Sequence, residues 1–178
     1  MLKRSLVLAA VVLGGVLLVA SLGIAGAGKK NLKSGDLNGY EENPDISTAG
    51  TGSFEVRIDD EARTLTYTLG YSLEGTVQQA HIHFGKAGVN GGIAVFLCGT
   101  TASPGPAGTP TCPATGAVSR TVGAADILSP AVGTTNQGIP AGAAGWEELV
   151  AALRAGHAYA NVHSSLWPGG EIRAQINE

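Results

Sequence analysis

The chain has few charged and few aromatic residues: 14% of its 178 residues are Asp, Glu, Lys or Arg, and 5% are Phe, Trp or Tyr. The formal net charge of -3 excludes the basic surface that nucleic-acid-binding proteins need. Two cysteines cannot form a disulfide scaffold, although they can form one bridge. The chain contains no G-x-S-x-G, H-E-x-x-H, G-x-x-x-x-G-K-[ST] or C-x-x-C motif. The sequence therefore predicts no nucleic-acid partner and none of the enzyme classes that these motifs mark.

Hydrophobic residues make up 44% of the chain, and glycine accounts for 27 of the 178 residues. The hydrophobic content argues against wholesale disorder, and the length suits one domain with a substantial core. Glycine at roughly twice its average usage favours turns over long helices. We therefore expect a single, turn-rich domain.

The first 27 residues have the three parts of a secretory signal. Lys3-Arg4 forms a basic start, Leu6 to Ala20 is an apolar run, and Ala25-Gly26-Ala27 supplies the small residues that a signal peptidase reads. The alternative is an uncleaved membrane anchor, because residues 5–28 carry no charge and are long enough to span a bilayer. Both alternatives predict a folded part that is secreted or held at the cell surface, in an oxidising compartment.

Residues 28–36 are polar and are predicted to be a linker. The domain is predicted over residues 37–178, where the pattern is that of β-strands. Phe54–Ile58 and Leu65–Leu69 alternate apolar and polar residues on either side of an acidic turn, which predicts a β-hairpin. The remaining elements predicted are strands at 77–84, 93–97, 117–122, 157–163 and 172–176 and one helix at Trp146–Ala155. Together they predict a mainly β fold: an antiparallel β-sandwich, immunoglobulin-like or superoxide-dismutase-like, with one short crossover helix.

Cys98 ends an apolar strand and Cys112 lies 14 residues further along, in a segment rich in proline and glycine. A disulfide between them would tie that segment to the strand and stabilise the fold by roughly 3 kcal/mol. The alternative is a redox-active or metal-binding pair. The predicted export favours the structural disulfide.

The four histidines fall in two places, with His81 and His83 in one strand and His157 and His163 around another. Residues i and i+2 of a strand face the same side, so His81 and His83 point together. If the two strands are neighbours, His163 can join them, and three imidazoles suit Zn(II) or Cu(II). Glu171 follows the last turn and is a candidate fourth ligand or a hydrogen-bond partner of a ligand.

The alternative for these histidines is a structural role on the polar face of a sheet, where each ring bonds a backbone group or water. A further possibility is a surface that binds a carbohydrate or polymer through Trp167 and Tyr159.

Four blocks of sequence resemble one family and occur in its order. They are Leu37 to Pro44, Ala80 to Gly85, Tyr159 to His163 and Pro168 to Ile176. Together they resemble the CHRD domain, named after chordin, over about residues 36–177. The resemblance implies an extracellular, β-rich domain of the short, single-domain bacterial type. It does not extend to growth-factor binding, because the cysteine-rich modules that accompany the domain in chordin are missing.

The Ala80–Gly85 block is also similar to the copper-binding H-x-H-x-x-G stretch of copper/zinc superoxide dismutases. There a third histidine on a late strand joins the pair, and His163 corresponds to it. No histidine that could bridge two metals occurs between Gly85 and Trp146, and no zinc-ligand cluster follows. Dismutase activity is therefore not expected.

Two hypotheses follow. The first is an exported, non-enzymatic binding or structural module, whose partner is an extracellular protein or polymer that the sequence does not identify. The second is a mononuclear copper- or zinc-binding protein with His81, His83 and His163 as ligands, possessing redox activity if the metal is copper.

Overall fold

The computed structural model describes residues 30–177, which form an antiparallel β fold with one α-helix. The strands are β1 Lys30–Ser34, β2 Thr51–Asp59, β3 Thr64–Ser72, β4 Val77–Phe84, β5 Gly92–Gly99, β6 Gly116–Gly123, β7 Ala131–Val132, β8 Thr135–Asn136, β9 Ala158–Ser164 and β10 Ile172–Asn177. The helix α1 spans Trp146–Arg154. Single 3₁₀ turns lie at Gly39–Glu41, Ala124–Asp126 and Gly142–Gly145. The predicted signal or anchor segment lies outside the described residues.

Eight strands form one sheet in the order β5-β4-β9-β10-β1-β2-β3-β6, and β7 and β8 form a separate two-stranded hairpin. The sheet consists of two four-stranded halves that meet where β10 pairs with β1, at Ser34 and Ile176 and at Lys33 and Asn177. The halves fold over one core, and β5 approaches β6 at the open side. The predicted mainly β, sandwich-like fold is confirmed, and its sheet is nearly closed.

The core lies between the two halves because the apolar residues of each strand alternate toward it. Phe54, Val56 and Ile58 of β2 are all buried, as are Leu65, Tyr67 and Leu69 of β3. The hydroxyl group of Tyr67 donates a hydrogen bond to the carbonyl oxygen of Leu97 in β5, across the core.

The predicted helix is confirmed: it begins at Trp146 as predicted and ends at Arg154, one residue before the predicted end. Its apolar stripe, Trp146, Leu149, Val150 and Leu153, is buried against the core, and acidic residues in its first turn and Arg154 in its last suit the helix dipole. No helix among residues 30–177 is long and apolar enough to cross a membrane.

The linker prediction for residues 28–36 is wrong where β1 forms. This strand lies between β2 and β10 and buries only Leu32 fully. The other four residues of this five-residue strand are polar, so no alternation marks it in the sequence. Its backbone pairing, not its own pattern, places it in the sheet.

Cys98 and Cys112 form a disulfide, as predicted, and no free cysteine remains in the chain. The bond ties the loop after β5 to the strand. The backbone adds a second tie: the N–H group of Gly99 donates a hydrogen bond to the carbonyl oxygen of Pro110, and that of Cys112 donates one to the carbonyl oxygen of Gly99. Cys98 and Cys112 are 14 residues apart in the chain. Closing a loop of this length contributes about 3 kcal/mol to the free energy of unfolding.

Candidate metal centre

The outer face of one sheet half carries a layer of polar side chains. In β4, Ala80 and Ile82 face the core, so His81 and His83 face outward. β4 pairs with β9, and this register sets His81 opposite Asn161 and His163 opposite Gln79. Because β9 is the neighbour of β4, His163 joins the pair. The two strands that carry the histidines are therefore neighbours in the sheet, as the predicted cluster requires.

The three histidines come together closely enough to share one ion. Their candidate ligand nitrogens all lie within 4.8 Å of one another. The Nδ1 of His81 is 3.1 Å from the Nε2 of His163. Two imidazole nitrogens bound to one Zn²⁺ at about 2.0–2.1 Å, at angles near tetrahedral, are roughly 3.3 Å apart. The His81–His163 contact has a similar length but is a hydrogen bond, and an ion bound by the Nε2 of His163 would take the place of that bond.

Backbone carbonyls fix which nitrogen of two of these histidines is available. The Nδ1 of His83 is 2.9 Å from the carbonyl oxygen of Gly91, and the Nδ1 of His163 is 2.9 Å from that of Pro168. A carbonyl can only accept, so each Nδ1 carries the proton and each Nε2 presents a lone pair. Metal-binding histidines are commonly oriented by such an outer hydrogen bond.

Burial keeps all three imidazoles neutral. It lowers the pKa of His81 to about 2, with further contributions from His163 and His83. Burial likewise lowers the pKa of His83 to about 4 and outweighs the bond to Gly91, which acts in the other direction. The pKa of His163 is also lowered by burial. Neutral imidazole is the form that binds metals, so the site needs no proton release from imidazolium at neutral pH.

Two of the nitrogens have no hydrogen-bond partner. The Nε2 atoms of His81 and His83 are buried and unpaired. A buried polar atom without a partner costs about 1–3 kcal/mol. Buried native polar groups nearly always have a partner, so two unpaired nitrogens in one cluster call for an explanation.

Tyr159 is not a surface residue, so the prediction of a ligand-binding role at the surface is wrong for it. It is 3% exposed and stacks on His83, with ring centroids 4.9 Å apart and planes 4° from parallel. The guanidinium carbon of Arg173 lies 3.4 Å from the centroid of the tyrosine ring. Arg173, Tyr159 and His83 are therefore linked by ring contacts.

The loop at 85–91 covers Tyr159 and His83, and Arg173 holds it in place. The guanidinium group of this buried arginine donates hydrogen bonds to the carbonyl oxygens of Lys86 and Val89 and to the side chain of Asn90. The same loop supplies the Gly91 carbonyl that orients His83. The loop is therefore part of the centre, and Arg173 positions it.

Glu171 does not join the histidines, so its predicted role as a ligand or ligand partner is wrong. Among residues 30–177, the side chains close enough together to share one ion are those of His81, His83 and His163. The buried carboxylate of Glu171 accepts hydrogen bonds from the backbone N–H groups of Glu74 and Gly75 and from the hydroxyl group of Thr48. It ties the β3–β4 connection to the start of β10.

A second buried carboxyl group, that of Glu42, lies beside the centre. Its Oε1 accepts a hydrogen bond of 2.6 Å from the Nδ2 of Asn161. It also lies over Gly170, where φ is +134° and a Cβ would come within 2.6 Å of the carboxyl oxygen, so any other residue there would be strained and would displace the carboxyl group. Burial raises the pKa of Glu42 to about 7, against the lowering effects of Asn161 and Arg173. Glu42 is not among the site residues predicted from the sequence, because nothing but a turn marks it there.

Trp167 is half-buried and lines a groove of about 410 Å³. The other residues lining it are Glu42, Asn43, Pro44, Ile46, Asn90, Leu166, Pro168, Gly169 and Gly170. Leu166 in the same turn is 60% exposed. The structure thus places Trp167 at a concave surface. The turn that carries Trp167 also covers His163 through the carbonyl of Pro168.

These features define the protein as an antiparallel β-sandwich domain with a buried cluster of three histidines under two loops. The family model of the CHRD domain matches residues 34–176, and the chain belongs to that family. Neither the curated proteins nor the solved structures include a significant match to the chain. The CHRD resemblance in the sequence is thereby confirmed, and family membership is consistent with a binding or structural module.

Proposed function

We propose that the protein is an exported, non-enzymatic binding module that acts outside the cytoplasm. The observation that carries this proposal is the CHRD domain itself, which spans residues 34–176. The Cys98–Cys112 disulfide supports an oxidising compartment. The groove beside Trp167 supplies a concave surface with an aromatic wall, which is the kind of anchor that extracellular partners use.

Export and surface binding are tested together by fractionation. The full chain with a C-terminal tag is produced in a Gram-negative bacterium, and cytoplasm, membrane and exported fractions are analysed by mass spectrometry. We expect the exported fraction to contain a chain that begins near residue 28 and has an oxidised Cys98–Cys112 pair. We also expect Trp167→Ala to reduce the share that stays bound to intact cells about tenfold or more, as loss of a hot-spot aromatic does.

The matched control for the tryptophan is Val132→Ala, which removes an exposed apolar side chain from the separate β7–β8 hairpin. This variant should bind to cells as the unmodified protein does. Cytoplasmic protein with reduced cysteines would contradict export. Equal retention of both variants would contradict the role of the groove.

A second candidate function is binding of a single copper or zinc ion by His81, His83 and His163. The observation that favours it is the pair of buried, unpartnered Nε2 atoms within the cluster. A domain that needed these residues for packing alone would be more stable with apolar side chains of similar size, since the polar nitrogens gain no bond. Their presence is accounted for if an ion supplies the missing partner.

Metal binding is tested by the metal content of the exported protein. We expect about one equivalent of copper or zinc per chain, and we expect His81→Ala and His163→Ala each to weaken binding by at least about 100-fold, since even residues that orient ligands contribute 10–100-fold. The matched control is His157→Ala, because His157 is the fourth histidine and is exposed outside the cluster.

Binding that disappears in the His157 variant as well would point to adventitious surface coordination. Protein that is purified without metal, and that takes up none on titration at neutral pH, would remove this function. The histidines would then be structural.

A further inference from the structure

The charges around the histidine cluster favour one kind of ion. The cluster offers three neutral imidazoles, and no carboxylate among the described residues belongs to it. Glu171, which the sequence placed nearby, accepts its hydrogen bonds elsewhere. None of the three ligands is anionic, and burial keeps the carboxyl group beside the centre, that of Glu42, protonated below about pH 7 by raising its pKa to about 7.

A fixed positive charge lies behind one ligand. The guanidinium group of Arg173 packs on Tyr159, which stacks on His83. Arg173 is 2% exposed, so water screens its charge poorly. Its repulsion acts on any cation at the cluster and is twice as large for a divalent ion as for a monovalent one, because the Coulomb energy is proportional to the charge.

Burial acts in the same direction. His81 and His83 are 1% and 8% exposed, and the ring of Phe96 packs edge-on against His81 with centroids 4.3 Å apart. The Born cost of bringing an ion into such a site rises with the square of its charge, so it is about four times larger for a divalent ion than for a monovalent ion of equal size.

The number of ligands also favours a monovalent ion. Zn²⁺ in proteins is almost always four-coordinate, and a three-histidine zinc site keeps a water molecule in the fourth position. Here the unpaired Nε2 atoms of His81 and His83 are shielded from solvent. Imidazole nitrogens suit copper, and the monovalent ion Cu(I) is satisfied by two or three donors without a bound water.

We propose that the His81–His83–His163 cluster is a copper(I) site that prefers the monovalent ion to Zn(II). This inference rests on the metal-binding function proposed above, and it specifies the ion. Arg173, which packs on Tyr159, disfavours divalent charge, and Phe96 limits access of water to His81.

The test compares the two ions on the exported protein. Cu(I) is titrated without oxygen, with ascorbate as reductant and bicinchoninate as the competing chelator. Zn(II) is titrated against a fluorescent chelator in the same buffer. We expect one Cu(I) per chain, bound at least 100-fold more tightly than Zn(II). Binding of Zn(II) within tenfold of Cu(I), or more tightly, would overturn the preference and leave metal binding in place. Binding of neither ion would overturn both.

A charge variant tests the cause. Phe96→Asp places a carboxylate beside His81 from a half-buried position on the neighbouring strand. We expect it to raise the affinity for Zn(II) at least tenfold and that for Cu(I) by only about the square root of that factor, roughly threefold, because the Coulomb energy is proportional to the charge. His157→Ala serves as the control and should change neither affinity. An equal change for both ions in the Phe96 variant would contradict the electrostatic explanation.

Discussion

Replacing Arg173 with methionine is expected to lower the free energy of unfolding by about 3–5 kcal/mol, the usual effect of breaking a buried charged network. The arginine is 2% exposed and donates to the carbonyl oxygens of Lys86 and Val89. Methionine keeps the apolar stem over Tyr159 but leaves both carbonyls without that donor. It also removes the positive charge that lowers the pKa of Glu42. Urea titration and thermal unfolding measure the loss, which corresponds to roughly 10 °C in Tm.

The matched control is Arg57→Met on β2. The side chain of Arg57 is 43% exposed and lies 4.0 Å from Asp59, so its loss should change stability by no more than about 0.5 kcal/mol. A loss below about 1 kcal/mol in the Arg173 variant would contradict the positioning role of Arg173. Hydrogen exchange at 85–91 gives a second readout, because release of this loop should speed exchange there before it does so in β2 and β3.

Local periodicity explains why the histidine cluster could be predicted. His81 and His83 follow the i, i+2 rule of a strand, and His163 shares the outward face of its own strand. One assumption about strand order was enough to join them, and the β4–β9 pairing satisfies it.

The same rule fails where loops decide burial. Tyr159 has the parity of His163, and from the sequence it could face solvent. The loop at 85–91 covers it, and a loop's path leaves no periodic signal. Glu171 lies just before β10, and a turn directs its carboxylate toward Glu74 and Gly75 instead of the histidines.

Long-range partners account for the remaining omissions. Glu42 lies 119 residues from Asn161 in the chain, yet the two share a buried hydrogen bond. Strand β1 owes its place to β2 and β10 on either side. Neither feature has a local pattern, since in both cases tertiary contacts outweigh local preference.

The metal-free protein is expected to lose stability steeply in mild acid because of its buried histidines. The pKa is about 2 for His81 and about 4 for His83, against 6.5 for an ordinary histidine. Between pH 6.5 and 4 the unfolded chain therefore binds protons that the folded chain does not. Stability rises with pH where the unfolded state binds more protons, by about 1.4 kcal/mol per pH unit for each group. His163, whose pKa is also lowered, acts in the same direction.

Glu42 has the opposite effect in an overlapping range. Its pKa is raised from 4.5 to about 7, so between these values the folded chain binds a proton that the unfolded chain does not. Its contribution to stability is fully present below pH 4.5 and is lost as the pH rises to about 7. Between pH 4.5 and 6.5 one glutamate thus offsets one histidine, so Glu42 lowers the slope that the histidines set by about 1.4 kcal/mol per pH unit. Stability should peak near pH 6.5.

Two variants separate these contributions by urea titration of the metal-free protein between pH 4.5 and 7.5. Glu42→Gln retains an oxygen acceptor for Asn161 but cannot titrate, so the slope between pH 4.5 and 6.5 should steepen by about 1.4 kcal/mol per pH unit. His81→Phe removes one buried histidine and should reduce the slope by about 1.4 kcal/mol per pH unit, because phenylalanine takes up no proton in either state. Unchanged slopes in both variants would show that other groups set the pH dependence. A slope that steepens in the first variant and flattens in the second would establish that Glu42 and His81 are buried in their neutral forms. For His81 this is the form in which a metal site without bound ion must be held, since a protonated imidazole cannot be a ligand.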